Sequence, residues 1–124
     1  MRLQESGEMY LEAILVLSQQ RSAVRSVDVG EYLGYSKPSV SRAMGILRQG
    51  GYVQSDEDGF LTLTASGRAV AEKIYERHTV LTALLTALGV DEAIAAQDAC
   101  RMEHVISDET FRALQRHAAG QGWK

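Results

Sequence analysis

Residues 26–49 read SVDVGEYLGYSKPSVSRAMGILRQ, and their capping and turn residues indicate the fold class. Ser26 is a residue type that caps helices, which predicts a short helix over residues 27–33. A Gly-Tyr pair then breaks the helical pattern. Ser36 predicts the cap of the next helix, because Pro38 falls in its first turn, where a missing N–H group is tolerated. The stretch therefore predicts two helices joined by a tight turn.

The segments on either side extend this pair into a recognisable order. Apolar residues recur at helical spacing over residues 5–17, and the second helix of the pair is expected over residues 37–49. Two short strand-like runs, 52–54 and 60–63, follow with an acidic, turn-rich loop between them. A helix, a short helix, a turn, a helix and a hairpin are together typical of a winged helix-turn-helix. We therefore predict a DNA-binding domain over residues 1–63.

The second half of the sequence is predicted to be helical. Thr64 precedes a long amphipathic pattern, Asp91 precedes another that reaches His104, and Ser107 precedes a third. The fold class is therefore mainly α. It combines an N-terminal winged helix-turn-helix with a helical domain over residues 64–124.

The composition is that of a small globular protein. The chain has 124 residues, of which 45% are hydrophobic and 23% are charged, enough for one small domain or two lobes. No apolar run approaches the roughly 18 residues that a membrane span requires, and the N-terminus lacks the apolar region of a signal peptide. The single cysteine excludes an internal disulfide and is typical of a reducing compartment. We expect a cytoplasmic protein with no membrane partner.

The charge distribution singles out one segment. The net charge is −3, but residues 21–54 carry five basic side chains against two acidic ones, a local net charge of +3. The N-terminal part of the predicted second helix is expected to contact the major groove and flanking phosphates of DNA. The residues concerned are Ser36, Lys37, Pro38, Ser39, Ser41 and Arg42. The alternative for Lys37 and Arg42 is a solvated helix face, which the helix order and the hairpin disfavour.

A second stretch, residues 100–104 (CRMEH), carries three potential metal ligands. Cys100, Glu103 and His104 are spaced i, i+3 and i+4, so on a helix they share one face. Sulfur, oxygen and nitrogen donors together suit a transition metal rather than calcium or magnesium. Three donors do not complete a coordination sphere, so further ligands are expected from other helices.

Three more residues are candidate ligands. Met9 and Glu12 share one side of the first predicted helix, and His78 lies in the long helix of the second half. Taken singly, each has a plainer explanation: Met9 as a core side chain, Glu12 as a solvated carboxylate and His78 as an ordinary helical histidine. The CRMEH stretch that they would complete is what favours the metal site. Ligation needs a thiolate and neutral imidazoles, so metal binding is expected to weaken as the pH falls.

Five blocks of the sequence resemble the diphtheria-toxin-repressor/manganese-transport-regulator family of bacterial metal-dependent repressors. They are residues 7–12 (GEMYLE), 36–41 (SKPSVS), 63–68 (LTASGR), 76–78 (ERH) and 98–109 (DACRMEHVISDE). The blocks occur in collinear order over nearly the whole chain, and the last is highly specific. The resemblance implies a winged-helix domain followed by a helical dimerisation domain, here without the C-terminal SH3-like domain of the longer members.

The same resemblance implies a ligand set. The family's metal positions fall on Met9, Cys100, Glu103 and His104, with Glu12 and His78 at positions used by a second ion. Met9 and Cys100 are residue types of the iron-responsive branch, whereas Glu12 matches the manganese branch. The iron branch also uses a carboxylate and an imidazole in an ancillary site, at positions that are Thr82 and Ala96 here. One or two ions per subunit therefore remain open.

Donor softness is an independent indication of the metal. Thiolate and thioether ligands favour Fe(II), Co(II), Ni(II) or Zn(II) over Mn(II), which prefers oxygen. Affinity alone would favour the later metals over iron, so selectivity has to come from geometry and cellular availability. We expect Fe(II) first and Mn(II) second, with Zn(II), Co(II) or Ni(II) able to substitute in vitro.

The predicted function is that of a metal-dependent transcriptional repressor that binds double-stranded operator DNA as a homodimer. The apolar face of residues 80–106 is the expected dimer contact, and a metal held by both domains would fix the spacing of the two recognition helices. We expect no enzymatic activity and no small organic substrate. The alternatives are a metal-independent winged-helix transcription factor and a redox sensor that uses the Cys100 thiol.

Overall fold

The computed structural model describes residues 5–121, with side chains described for residues 6–119. The described chain forms α1 (Glu5–Gln20), α2 (Ser26–Leu33), α3 (Lys37–Gln49), β1 (Val53–Ser55), β2 (Leu61–Leu63), α4 (Ala65–Ala87), α5 (Glu92–Met102) and α6 (Asp108–Gln121). It divides into a first compact unit that ends at Glu72 and a second that begins at Lys73, so α4 contributes to both. None of the described helices has the length and apolar character required to cross a membrane. Trp123, in the C-terminal tail, lies outside the described residues.

The helix-turn-helix of the first unit is formed by α2 and α3, as the sequence predicts, and the expected stop at Gly34 and cap at Ser36 are confirmed. Gly34 ends α2 in the left-handed region, with φ 76°, and its N–H donates to the carbonyl oxygen of Gly30 at 2.8 Å. Glycine suits this position because it lacks the Cβ that strains a positive φ. Ser36 caps α3, where its hydroxyl oxygen accepts a hydrogen bond from the Ser39 N–H at 3.4 Å. The turn between the two helices is therefore defined by one glycine and one serine.

The start of α2 differs from the prediction by one residue. Ser26 is already helical, and Arg25 occupies the capping position in an extended conformation. The backbone N–H of Arg25 donates to the Asp28 carboxylate at 2.8 Å. A carboxylate in the first turn also interacts favourably with the positive end of the helix. Asp28 thus stabilises this helix start from within the first turn, and Ser26 is not the cap that the sequence predicts.

The wing is a two-stranded antiparallel hairpin in which Val53 lies opposite Leu63. Each strand begins one residue later than predicted. Phe60 lies outside β2 and forms an isolated bridge with Arg25, whose guanidinium carbon lies 4.5 Å from the centroid of the phenyl ring. The Asp56 carboxylate accepts a hydrogen bond from the Phe60 N–H at 3.0 Å, which fixes the loop. The edge of the wing is therefore tied to the segment that precedes α2.

The first unit has one apolar core, to which its helices and its wing all contribute. Its largest fully buried apolar side chains are Leu11, Ile14, Val24, Val29, Val40, Met44 and Leu47. The first turn of α4 approaches the wing closely: a Cβ added at Gly67 would lie 2.0 Å from the carbonyl oxygen of Tyr52. Thr64 closes the same corner, because its hydroxyl donates to the Gly51 carbonyl oxygen at 2.6 Å and accepts from the Gly67 N–H at 3.1 Å.

The second unit consists of the remainder of α4 together with α5 and α6. Its buried apolar side chains are Ile74, Leu81, Leu84, Ala95, Ala99, Phe111 and Ala118. The sequence predicts that α5 continues through His104, but the helix ends at Met102. Glu103 is its C-cap, with φ −62° and ψ −22°, and a turn follows. Ser107 then accepts a hydrogen bond from the backbone of the first turn of α6, as a cap does.

Candidate metal and nucleic-acid sites

Three of the predicted metal ligands meet at the C-terminal end of α5. The ligand atoms of Cys100, Glu103 and His104 all lie within 4.8 Å of one another. Although α5 stops at Met102, Glu103 keeps a helical backbone, and its N–H donates to the Ala99 carbonyl oxygen at 2.9 Å. The donors therefore remain grouped as the i, i+3, i+4 spacing predicts. Cys100 is half-buried, and the side chains of Glu103 and His104 are 0% and 1% exposed.

The Glu103 carboxylate lies between two imidazole rings. Its Oε2 oxygen is 2.9 Å from Nδ1 of His78, and its Oε1 oxygen is 3.4 Å from Nε2 of His104. The first distance is that of a good hydrogen bond, whereas the second is long for one. Among the residues that the structure describes, Oε1 of Glu103 accepts no hydrogen bond. The structure thus brings His78 to the carboxylate that also lies beside Cys100 and His104.

This environment fits a divalent transition metal. A fully buried carboxylate is unfavourable unless its charge and its lone pairs are compensated. Hydrogen bonds to Glu103 compensate one oxygen and leave the other directed among donors of the thiol and imidazole type. Cations of the first transition series bind this combination of sulfur, nitrogen and oxygen. Such an ion could therefore be held by Cys100, Glu103 and His104. His78 contacts the carboxylate of Glu103.

The two remaining predicted ligands belong to the first unit. Met9 and Glu12 lie on α1, and both side chains are half-buried. The sulfur of Met9 accepts a hydrogen bond from the Tyr35 hydroxyl at an O–S distance of 3.0 Å. The Tyr35 ring packs edge-on against Tyr10, with 5.7 Å between the centroids, and burial raises the pKa of the Tyr10 phenol above its usual value. Met9 and Glu12 remain predicted ligands.

The positions of the iron-branch ancillary site carry no metal donors of the expected kind. Thr82 lies on α4, and its hydroxyl oxygen is buried and makes no hydrogen bond within the described part of the chain. Ala96 lies on α5 and is half-buried, with a methyl group where an imidazole would be needed. His78 therefore contacts Glu103 without the two companions that the ancillary site requires.

Arg77 is a residue of this region that the sequence analysis overlooks. Its side chain is 6% exposed, and it donates to the carbonyl oxygens of Glu103 at 3.0 Å and Ile106 at 2.8 Å. It also donates to the Asp108 carboxylate, which Lys73 contacts at 2.9 Å. These hydrogen bonds, with that from Lys73 the strongest, lower the pKa of Asp108 below its usual value. The only local signal is the position of Arg77 directly before His78.

The predicted DNA-contacting residues form an exposed surface at the start of α3. All six of them are exposed to solvent: Ser36, Lys37, Pro38, Ser39, Ser41 and Arg42. The hydroxyls of Ser36 and Ser39 hydrogen-bond to each other at 3.0 Å, so these two side chains also organise the helix start. Val40, Met44 and Leu47 are buried on the opposite side of α3. The helix thus buries one face in the first unit and leaves a basic, hydroxyl-rich face accessible.

Comparison with known protein families gives a match in both halves of the chain. The family model described as "Iron dependent repressor, N-terminal DNA binding domain" matches residues 2–60. The model described as "Iron dependent repressor, metal binding and dimerisation domain" matches residues 64–119.

Individual relatives agree with this match. The diphtheria toxin repressor of Corynebacterium efficiens is 34% identical over 113 residues, which cover 90% of this chain and 49% of that protein. The transcriptional regulator MntR of Escherichia coli is 35% identical over 114 residues, or 89% of this chain and 74% of that protein. A solved manganese-dependent transcriptional repressor in complex with manganese has a TM-score of 0.80 at 28% identity, covering 95% of this chain and 53% of that one.

The chain thus spans about half the length of the diphtheria toxin repressor that it matches. Matched in its DNA-binding half and in its metal-binding half alike, the chain belongs to the iron dependent repressor family.

Proposed function

We propose that this protein is a metal-dependent transcriptional repressor. It binds operator DNA as a homodimer when a divalent transition metal is bound by Cys100, Glu103 and His104. The observation that carries this proposal is the fully buried Glu103 carboxylate, one oxygen of which accepts no hydrogen bond from the described residues while it lies among metal-type donors. We assign DNA binding to residues 1–63, metal binding and dimerisation to residues 64–124, and action to the cytoplasm.

The proposed ligand set extends to Met9, Glu12 and His78. Because Met9 and Glu12 belong to the DNA-binding half and the other donors to the second half, shared ligation would couple the two halves. A bound cation supplies positive charge and a coordination geometry that favour the DNA-binding conformation over others. Its effect is limited to its differential affinity for that conformation. By linkage, operator DNA then raises the affinity for the metal by the same factor.

We propose Fe(II) as the physiological corepressor, with Mn(II) second. The thiol of Cys100 and the thioether of Met9 are soft donors, which supports iron and later metals, whereas Glu12 adds an oxygen donor of the kind manganese prefers. The matching family model is described as iron dependent, whereas one of the similar solved structures is described as manganese-dependent. Zn(II), Co(II) and Ni(II) are expected to substitute in vitro.

Exposed apolar side chains of the second unit support the homodimer. Leu88, Ile94 and Val105 are 63%, 51% and 68% exposed, and all three fall within residues 80–106, whose apolar face is the predicted dimer contact. The family model that matches residues 64–119 includes dimerisation in its description. A dimer would present two α3 helices to two half-sites about one turn of DNA apart, near 34–36 Å.

The decisive experiment measures binding to the DNA upstream of the protein's own gene at fixed salt. Salt has to be constant because phosphate contacts make affinity strongly salt-dependent. Binding should be absent after chelation and should appear on anaerobic titration with Fe(II), Mn(II) or Zn(II). The matched variant is Glu103→Gln, which keeps the shape of the side chain and removes its charge. Equally tight binding after chelation, or metal-responsive binding by Glu103→Gln, would refute the proposed switch.

A further inference from the structure

A buried guanidinium holds the turn that presents the metal donors. We propose that Arg77 is a positioning residue for the metal centre. It fixes the backbone from Glu103 to Ile106 so that the Glu103 carboxylate and the His104 ring are in place before a metal binds. This inference rests on the proposed metal site and adds a residue that is not itself a ligand.

The contacts of Arg77 converge on one short segment. One terminal nitrogen donates to the carbonyl oxygens of Glu103 at 3.0 Å and Ile106 at 2.8 Å, and the other donates to the Asp108 carboxylate. The guanidinium carbon also lies 5.4 Å from the centroid of the Phe111 ring. Arginine can make these contacts together because its planar group offers several donors in a fixed geometry. One side chain therefore joins the end of α5 to the start of α6.

The carbonyl groups concerned need such a donor. The last carbonyl groups of a helix have no partner within the helix, and leaving them buried without a hydrogen bond is unfavourable. Glu103 is the C-cap of α5, and Arg77 supplies the hydrogen bond to its carbonyl oxygen. A positive charge at the C-terminal end of a helix is also favoured by the helix dipole. Without Arg77, this turn would have to reorient its carbonyl groups towards water.

Reorientation of the turn would displace the ligands directly. Arg77 donates to the backbone carbonyl oxygen of Glu103. Nδ1 of His78, the next residue of α4, lies 2.9 Å from the carboxylate oxygen of the same Glu103. Two consecutive side chains thus fix both ends of one ligand. His104 follows Glu103 in the turn and depends on the same backbone. Residues that orient ligands in this way typically change metal affinity by about 10- to 100-fold when they are replaced.

The test measures Co(II) affinity of the full chain under anaerobic conditions. Near-ultraviolet thiolate-to-Co(II) absorption reports the Cys100 bond, and competition with a chelator gives the affinity. Arg77→Met should weaken Co(II) binding by about 10- to 100-fold. Arg77→Lys should recover only part of this loss, because an ammonium group lacks the planar fork. Lys73→Met removes the other basic partner of Asp108 and should stay within about threefold of wild type.

Folding is separated from positioning by two further variants. Ile74→Val lowers the stability of the second unit by trimming a buried side chain, and below its unfolding temperature it should bind Co(II) as the wild type does. Asp108→Asn alters a half-exposed partner of Arg77 and should fold. We expect it to weaken Co(II) binding several-fold more than Lys73→Met does.

The outcomes are distinct. Failure of the wild type to bind Co(II) would refute the metal site itself. Wild-type affinity in folded Arg77→Met would overturn the role of Arg77 alone. Should neither Arg77 variant fold, Asp108→Asn decides: an affinity equal to that of Lys73→Met would show that Arg77 stabilises the fold without positioning the ligands.

Discussion

The Tyr35 hydroxyl donates a hydrogen bond to the sulfur of Met9 at 3.0 Å. Met9 is a predicted metal ligand on α1, and Tyr35 directly precedes Ser36, the cap of α3, which is the predicted DNA-contacting helix. A single side chain therefore connects a proposed ligand to the turn that leads into α3. A thioether sulfur is a weak acceptor, so this contact orients the flexible Met9 side chain more than it stabilises the fold.

Tyr35→Phe removes the hydroxyl and keeps the ring. We expect metal affinity to fall by about 2- to 10-fold, the range that corresponds to one hydrogen bond of about 0.5–1.5 kcal/mol. The Tyr10 ring contact should persist because it depends on the aromatic face and edge. The measurement is anaerobic metal titration, with Tyr52→Phe in the same unit as the control. Equal affinities in the two variants would show that the hydroxyl does not orient Met9.

Much of the fold could be predicted because its signals are local. Ser36, Pro38 and Gly34 each act within one turn of their own position, and together they define α3 and the turn before it. The helix α2 begins one residue before the predicted start because Arg25 takes the extended capping position, with its N–H bonded to the Asp28 carboxylate. The strand β2 begins after Phe60 because Phe60 bridges to Arg25, which lies 35 positions earlier in the chain and which a local pattern does not contain.

The candidate metal centre also combines local features that the sequence predicts with distant contacts that it does not. The grouping of Cys100, Glu103 and His104 follows from their spacing alone, and it survives the early end of α5 because the C-cap keeps a helical backbone. The role of Arg77 could not be predicted, since its partners lie 26 to 31 positions later in the chain. An arginine on a helix carries no sign of which distant carbonyl groups it will meet.

The close approach of α4 to the wing predicts opposite effects for two glycine substitutions. Gly67→Ala would place a methyl group 2.0 Å from the Tyr52 carbonyl oxygen, so backbone has to move. We expect a loss of about 1–3 kcal/mol in the free energy of unfolding. Gly45→Ala places its methyl group in open space within α3 and should stabilise by about 0.5–1 kcal/mol. Urea denaturation measures both, and a destabilisation of equal size in the two variants would contradict the reported packing.

The lowered pKa of Asp108 predicts a pH dependence of stability. Because the folded state binds a proton at this carboxylate less readily than the unfolded state, the ionised group stabilises the fold above about pH 3.9, the usual aspartate value. That contribution is lost as the pH falls through the lower, folded pKa. The difference in urea midpoint between wild type and Asp108→Asn should therefore be largest near neutral pH and should shrink below about pH 4. A difference that stays constant down to pH 2 would contradict the ion pairs with Lys73 and Arg77.

Arg42 on the exposed face of α3 predicts a measurable change in DNA recognition. It is exposed on α3, whose opposite face is buried in the first unit, so Arg42→Ala should leave the fold intact. We expect operator binding in saturating metal to weaken by about 10-fold or more, the effect of losing one base or phosphate contact.

If Arg42 contacts a phosphate, the slope of log affinity against log salt should fall by about 1, and all sequences should be affected alike. If Arg42 contacts a base, the salt dependence should be unchanged, and the protein should discriminate less between bases at one position of the operator. Arg101→Ala, which removes an exposed arginine from α5 in the second unit, is the control. Affinities for Arg42→Ala and Arg101→Ala that both equal the wild type would show that this face of α3 does not contact the operator.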